Sequence, residues 1–203
     1  RYTLNVSARV DGSSKVGENH RWEFFPSVSA VWNITKEPWM APLKRYVSKL
    51  NLRMGYGKSG NLGGIAAFQS QQLIRPNGVV SVGGMPTTTM GIVRNANPDL
   101  GWEIKRTFNV GLDMAFWNSR IVVTANFYTS RTSDMLYNYT VPVPPFTYDH
   151  LLANLGKMRN HGLEIGFGIT PLRQKDMELN INMNWSFERN KLVTLNGEYQ
   201  GQY

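Results

Sequence analysis

The sequence predicts an all-β chain, part of an antiparallel up-and-down transmembrane β-barrel. Three observations predict it. Apolar and polar residues alternate with period 2 through most of the apolar segments, as strands with one greasy and one wet face require. Long and short connections take turns, and outer-membrane barrels place short turns at one end and long loops at the other. Tryptophans gather at strand ends, where the aromatic girdles of such barrels lie.

The elements follow in order. Tyr2, Leu4, Val6, Ala8 and Val10 alternate with Thr3, Asn5, Ser7 and Arg9, which gives a first strand. DGSSKVGENH then reads as a Gly/Ser/Asn loop. From Trp22 to Ile34 a less regular alternation sets Phe24, Val28, Ala30 and Trp32 against Phe25, Ser27, Ser29, Val31 and Asn33. TKEPWMAPLKRYVS follows, where Pro38 and Pro42 allow at most a short helical turn. Leu50, Leu52, Met54 and Tyr56 make a third strand. A Gly-, Asn-, Gln- and Thr-rich stretch of roughly forty residues, Lys58 to Gly101, comes next, a length that compact soluble domains rarely leave without structure.

The fourth strand starts at Trp102 and sets Ile104, Phe108, Val110, Leu112, Met114 and Phe116 on one face, interrupted by Arg106. Asn118-Ser119 reads as a two-residue hairpin turn, since Asn tolerates positive φ. Ile121, Val123, Ala125 and Phe127 alternate with Val122, Thr124, Asn126 and Tyr128. A second long connection carries VPVPP at Val141 to Pro145. Leu163, Ile165, Phe167 and Ile169 then alternate with Glu164, Gly166, Gly168 and Thr170, and RQKD makes a short turn. The cleanest pattern comes last: Met177, Leu179, Ile181, Met183, Trp185 and Phe187 against Glu178, Asn180, Asn182, Asn184 and Ser186. Eleven residues of period 2 match the ~9–11 that a tilted strand needs to cross a bilayer. The count is about seven strands and no long helix.

Each strand face carries an expectation. Ile121, Val123, Phe127, Leu163, Ile165, Phe167, Leu179, Ile181 and Met183 are expected to meet lipid. Thr124, Asn126, Glu164, Asn180, Asn182 and Asn184 are expected to face a wet lumen. Trp22, Trp32, Trp102, Trp117 and Trp185 are the interfacial aromatics: Trp22 and Trp102 begin strands, Trp32 and Trp117 lie at the opposite ends, and Trp185 stands late in its strand.

Composition sets bounds. The chain has 203 residues, 41% hydrophobic, with a mean hydropathy of −0.34. No apolar run approaches the ~18 residues of a transmembrane helix. A barrel remains allowed, because its strands are only half apolar. There is no cysteine, hence no disulfide framework and no thiolate metal site. The chain starts inside a strand at Arg1-Tyr2 and ends in a polar Gly/Gln/Tyr stretch. Seven strands do not close an even-numbered barrel, and an open edge in lipid is not viable, so a piece of a larger protein is expected. The net charge of +8 comes from 22 scattered Lys and Arg residues, whereas a nucleic-acid surface wants a clustered stripe with aromatics on the same face. Such charge suits loops, a wet lumen or an anionic surface glycolipid.

Catalytic motifs are weak. Gly55-Tyr56-Gly57-Lys58-Ser59-Gly60 formally matches GxGxxG but leads into a Gly/Gln loop rather than a helix. His20, His150 and His161 sit in or beside loops without ligand spacing. No nucleophile elbow and no paired carboxylates are visible. The chain is therefore read as a non-enzyme without metal or cofactor. The alternative from another class is a soluble all-β carbohydrate-binding module, whose apolar strand faces would be buried between two sheets.

Several ordered blocks resemble a known family. RYTLNVSARVDGSSKVGENHRWEFFPSVSAVWNITKEPWM, LNLRMGYGKSGN, NANPDLGWEIKRTFNVGLDMAFWNSRI, NFYTSRTSDMLYNYTVP and NLGKMRNHGLEIGF look like SusC/RagA-type TonB-dependent transporters and cover nearly the whole chain. Gly101 stands where that family usually has Lys or Arg, and Ile104 where it has Thr. The resemblance implies the middle to later part of a barrel of about 22 strands in the outer membrane of a Gram-negative cell. It implies that residues 1–203 belong to one such barrel domain, with the plug and TonB-contacting segment outside the chain. It implies energised import of oligosaccharides or peptides, driven through TonB and a plug, with a SusD-like surface lipoprotein as partner and no nucleic acid. The stretch from Lys58 to Gly101 is then expected to contact substrate or a lid, because long loops on rigid scaffolds carry recognition.

Overall fold

The structure, a computed structural model, describes residues 1–195. Nine strands form: β1 Tyr2–Gly12, β2 Trp22–Asn33, β3 Val47–Asn61, β4 Leu73–Val82, β5 Met85–Arg94, β6 Glu103–Phe116, β7 Ile121–Thr140, β8 His150–Arg173 and β9 Glu178–Thr194. Short 3₁₀ turns at Glu18–His20, Ile34–Lys36 and Pro38–Leu43 are the helical content of the described residues. No helix is long and apolar enough to cross a membrane, which says nothing of crossing by strands.

Seven strands make one sheet in the order β1-β2-β3-β6-β7-β8-β9, every pair antiparallel. This is the up-and-down meander that the alternation of the sequence predicts, opened only by the excursion between β3 and β6. Register carries the period-2 pattern from strand to strand. Tyr2 lies opposite Trp32, Trp32 opposite Leu52, Leu52 opposite Leu112, Leu112 opposite Ala125, Ala125 opposite Ile165 and Ile165 opposite Trp185. Slipping any strand by one residue would throw its whole apolar set to the other face, so this register is fixed by the sequence.

Four expectations are corrected. The roughly forty-residue loop from Lys58 to Gly101 is not structureless. β3 runs on to Asn61, and β4 and β5 form a two-stranded sheet of their own inside the rest. Val82 pairs with Met85 across Gly83 and Gly84, whose φ values of +60° and +85° are the positive angles that a two-residue hairpin demands. Second, the long connection around VPVPP is mostly strand. β7 and β8 extend far past the alternating segments, and only residues 141–149 separate them. Along Thr129 to Asp134 both faces are polar, so no period-2 signal marks the extension. Third, β6 begins at Glu103, so Trp102 precedes the strand. Fourth, Trp185 stands in the middle of β9, which continues to Thr194, rather than late in it.

The hairpin at Asn118-Ser119 forms as expected. Phe116 pairs with Ile121, Arg120 N donates to Trp117 O at 3.2 Å, and Asn118 and Ser119 have φ of +56° and +63°. Trp117 also takes a positive φ, +49°. The RQKD turn closes with Gln174 N on Met177 O at 2.8 Å. The polar Gly/Gln/Tyr end lies outside the described residues.

Candidate functional site: a two-faced wall beneath a pinned loop layer

The strand faces sort cleanly. Ile121, Val123, Phe127, Leu163, Ile165, Phe167, Leu179, Ile181 and Met183 share one face, and no second sheet covers it among the described residues. Leu163, Ile181 and Trp185 keep 41%, 43% and 54% of their surface exposed. A soluble sandwich would bury these side chains; here, among the described residues, the apolar face is open.

The opposite face is polar and crowded. Thr124, Asn126, Glu164, Asn180, Asn182 and Asn184 lie on it together. Thr170 Oγ1 and Asn180 Oδ1 are 2.6 Å apart, with the hydroxyl donating. Arg53 reaches from β3 to Asp113 on β6, Nε 2.9 Å from Oδ2 and Nη2 2.8 Å from Oδ1, and Nη2 also donates to Asn126 Oδ1 on β7 at 2.8 Å. Glycines make room for these groups. A Cβ at Gly111 would stand 2.6 Å from Asn126 Oδ1, and one at Gly166 2.5 Å from Thr124 Oγ1. A shallow hollow over Gly166 is lined by Thr124, Asn126, Glu164 and Asn184.

One end of the sheet carries the connections β2–β3, β6–β7 and β8–β9. At this end Glu37 is buried and collects three strand-end groups: Trp32 Nε1 and Tyr2 OH donate to Oε1, each at 3.0 Å, and Arg1 Nη1 to Oε2 at 3.4 Å. The Trp32 N–H chiefly holds the Glu37 carboxyl below its ordinary value; partial desolvation works against this, and the Tyr2 hydroxyl and Arg1 charge add to the lowering.

The other end carries a layer of packed connections. Val16, Ile65 and Leu100 form its small core, with Leu62, Trp102, Leu136 and Leu152 against it. Three asparagines pin the layer to β8 and its approach. Asn95 Nδ2 donates to Tyr148 O and His150 O at 2.6 and 2.9 Å. Asn97 Nδ2 donates to Leu152 O at 2.7 Å. Asn154 Nδ2 donates to Gly101 O and Asp134 O, both at 2.9 Å, while its Oδ1 accepts Gly101 N at 2.8 Å. A Cβ at Gly17 would fall 1.8 Å from Pro98 O, so only glycine fits that close approach. Sequence reasoning took NANPDL as loop and missed this role; the run of Asn, Pro and Asp, residues that cap backbone in turns, was the available signal.

The five tryptophans expected at the interfaces divide. Trp22 is exposed at the loop end, Trp32 stacks beside Tyr2 with centroids 6.1 Å apart, and Trp117 sits exposed in its turn. Trp185 is exposed at mid-strand. Trp102 instead packs edge-on to Phe25 at 5.5 Å and donates to His20 O at 3.1 Å, a role in the loop layer. Among the described residues no cluster of His, Asp and Glu is arranged to hold a metal.

Residues 1–202 match the family model described as "TonB dependent receptor-like, beta-barrel". The chain is 34% identical over 200 residues to TonB-dependent receptor P39 of Formosa agariphila, covering 98% of this chain and 18% of that protein. It is 28% identical over 205 residues to TonB-dependent receptor SusC of Bacteroides thetaiotaomicron, covering 100% of this chain and 20% of that one. The solved structure of the RagAB peptide importer in its 'open-open' state superposes with a TM-score of 0.85 at 28% identity, over 96% of this chain and 20% of the other. The chain thus spans about a fifth of the length of the relatives it matches.

Proposed function

The chain belongs to the TonB-dependent receptor-like β-barrel family, and from that premise we propose that it forms wall and outer loops of an outer-membrane importer in a Gram-negative cell. The observation that carries the reading is the single-layer sheet, uncovered and apolar on one face, polar and glycine-lined on the other. In lipid every backbone group must be satisfied within the wall, and this open sheet does so once the rest of a longer barrel pairs its edges β1 and β9.

In this reading Ile121, Val123, Phe127, Leu163, Ile165, Phe167, Leu179, Ile181 and Met183 meet acyl chains. Thr124, Asn126, Glu164, Asn180, Asn182 and Asn184 face the lumen or a plug. Trp22, Trp32, Trp117 and Trp185 serve as amphipathic aromatics of the wall. The short-turn end, with Trp32, Glu37 and Trp117, lies in the periplasm, and the pinned layer with the β4–β5 hairpin lies outside. A wide polar lumen leaks without a plug, and the outer membrane has no nucleotide supply. The longer protein therefore carries a plug that receives mechanical work from TonB. The cargo is an oligosaccharide or a peptide, delivered by a SusD-like lipoprotein seated on the outer layer. RagAB, described as a peptide importer, supports the peptide arm, and SusC-like sequence supports the family as a whole.

The test uses the full-length protein in its own cell. It should fractionate with the outer membrane, migrate as a heat-modifiable barrel, and support uptake of labelled oligosaccharide or peptide that stops when the proton-motive force is collapsed. A soluble monomer, or uptake indifferent to energisation, would overturn the reading.

A further inference from the structure

The outward face does not end in polar neutral residues at the loop side; it ends in a row of cations. Arg106 lies directly opposite Arg131, Arg131 opposite Arg159, and Arg159 opposite Lys191. Arg189 stands two residues before Lys191 on the same face, opposite His161. By strand alternation all belong to the face that carries Phe108, Phe127, Leu163 and Phe187 just below. All five cations are exposed. Among the described residues none has an ion pair. Arg106 reaches Ser133 Oγ at 3.3 Å, and that hydroxyl donates to Asp134 Oδ2 at 2.8 Å. Glu188, the nearest carboxylate on β9, is on the other face and accepts Asn160 Nδ2.

Like charges directly opposite one another destabilise a sheet. Three consecutive cross-strand pairs of one sign, with no carboxylate interleaved, therefore ask for an external anion. The row spans four strands, about 14 Å at a strand spacing of about 4.8 Å. Its position decides the occupant. A molecule whose chains lie along Phe108, Phe127, Leu163 and Phe187 necessarily holds its headgroup at the height of Arg106, Arg131, Arg159 and Arg189. Long cationic side chains at such a boundary keep their stems on the apolar surface and their heads among the headgroups.

We propose that Arg106, Arg131, Arg159, Arg189 and Lys191 form a belt that binds the phosphates of the outer-leaflet glycolipid, anchoring an annulus of that lipid on β6 to β9. The proposal rests on the reading of the apolar face as lipid-facing. It gives the scattered positive charge of the sequence a place and a chemistry.

The experiment takes the full-length transporter in phosphatidylcholine nanodiscs doped with lipid A, in bisphosphorylated or dephosphorylated form, and counts retained lipid A by native mass spectrometry. Arg131→Gln with Arg159→Gln should weaken retention of the bisphosphorylated form by about 25-fold, about five-fold for each charge removed. Arg131→Lys with Arg159→Lys should restore most of it, and heat-modifiable migration of both variants reports that the barrel has assembled. The dephosphorylated form should be held equally by wild type and variants. A nitroxide at Ile181→Cys, probed with oxygen and a water-soluble nickel chelate, separates the two ideas. Unchanged retention with the nitroxide in lipid overturns the belt and leaves the wall intact. Equal losses for both forms of lipid A overturn phosphate recognition. A nitroxide reached by the chelate overturns the wall and the belt together.

Discussion

Arg53 lays two donors on the carboxylate of Asp113, 2.9 and 2.8 Å away, so that a guanidinium fork on β3 closes on β6 across the polar face. The same Nη2 is shared with Asn126 on β7, which joins three strands through one side chain. Planar bidentate pairing is something a lysine ammonium cannot reproduce. Arg53→Lys is therefore expected to lower the stability of the assembled barrel by about 1 kcal/mol, read as an earlier loss of heat-modifiable migration on a temperature ramp. An unchanged transition would show that the fork is not part of what holds β3 to β6.

The two faces respond oppositely to the same charge. Ile181→Arg puts a guanidinium on the exposed apolar face and is expected to cost roughly 2–4 kcal/mol and impair assembly. Asn182→Arg, one residue on, puts it over Gly168 on the polar face, where assembly should survive while uptake of bulky or charged cargo changes. Equal assembly defects in the two variants would mean that the faces are wrongly assigned.

Glu37 makes the short-turn end sensitive to acid. Its folded pKa is depressed, so its contribution is present above the ordinary value of 4.5 and is lost as pH falls through the lower folded value. Protonation weakens the acceptor for Trp32 and Tyr2. Acidification below pH 4.5 should shift the Trp32 emission and loosen this end, whereas Glu37→Gln should show no such pH-dependent step. A step that persists in Glu37→Gln assigns it to another group.

The outer layer should fail separately from the wall. Asn97→Ala removes the donor to Leu152 O and opens a buried site, an expected local loss of about 1–3 kcal/mol. Gly17→Ala drives a methyl into Pro98. Both variants should expose the segment from Leu62 to Leu73 to protease while heat-modifiable migration of the barrel is unchanged. Protection identical to wild type would deny the asparagine its role.

What was legible in the sequence is the contrast between the two faces of the sheet. Met177 to Phe187 alternates because one face is apolar and the other polar, and that contrast is written at every position. Along Thr129 to Asp134 both faces are polar, so the segment carries no alternation, and the length of β7 and β8 could not be read. The β4–β5 hairpin was announced by Gly83-Gly84 between VVSV and MPTTTM, a local turn signal hidden inside a long polar stretch. The Arg53–Asp113 fork and the cationic row depend on register between strands distant in sequence, which no single segment records. The asparagine pins depend on which carbonyls β8 presents to the layer, and that is decided only by tertiary packing.

Asn95, Asn97 and Asn154 have one consequence beyond holding the loops in place. A carboxamide neither titrates across the accessible pH range nor carries a charge that salt can screen. The three attachments of the loop layer to β8 are thus blind to acidity and ionic strength, although ion pairs such as Asp149–His150 and Glu23–Lys58 stand beside them, while the short-turn end depends on a carboxylate. Acid or brine would be felt by those pairs and by Glu37, and not by the amide clamps.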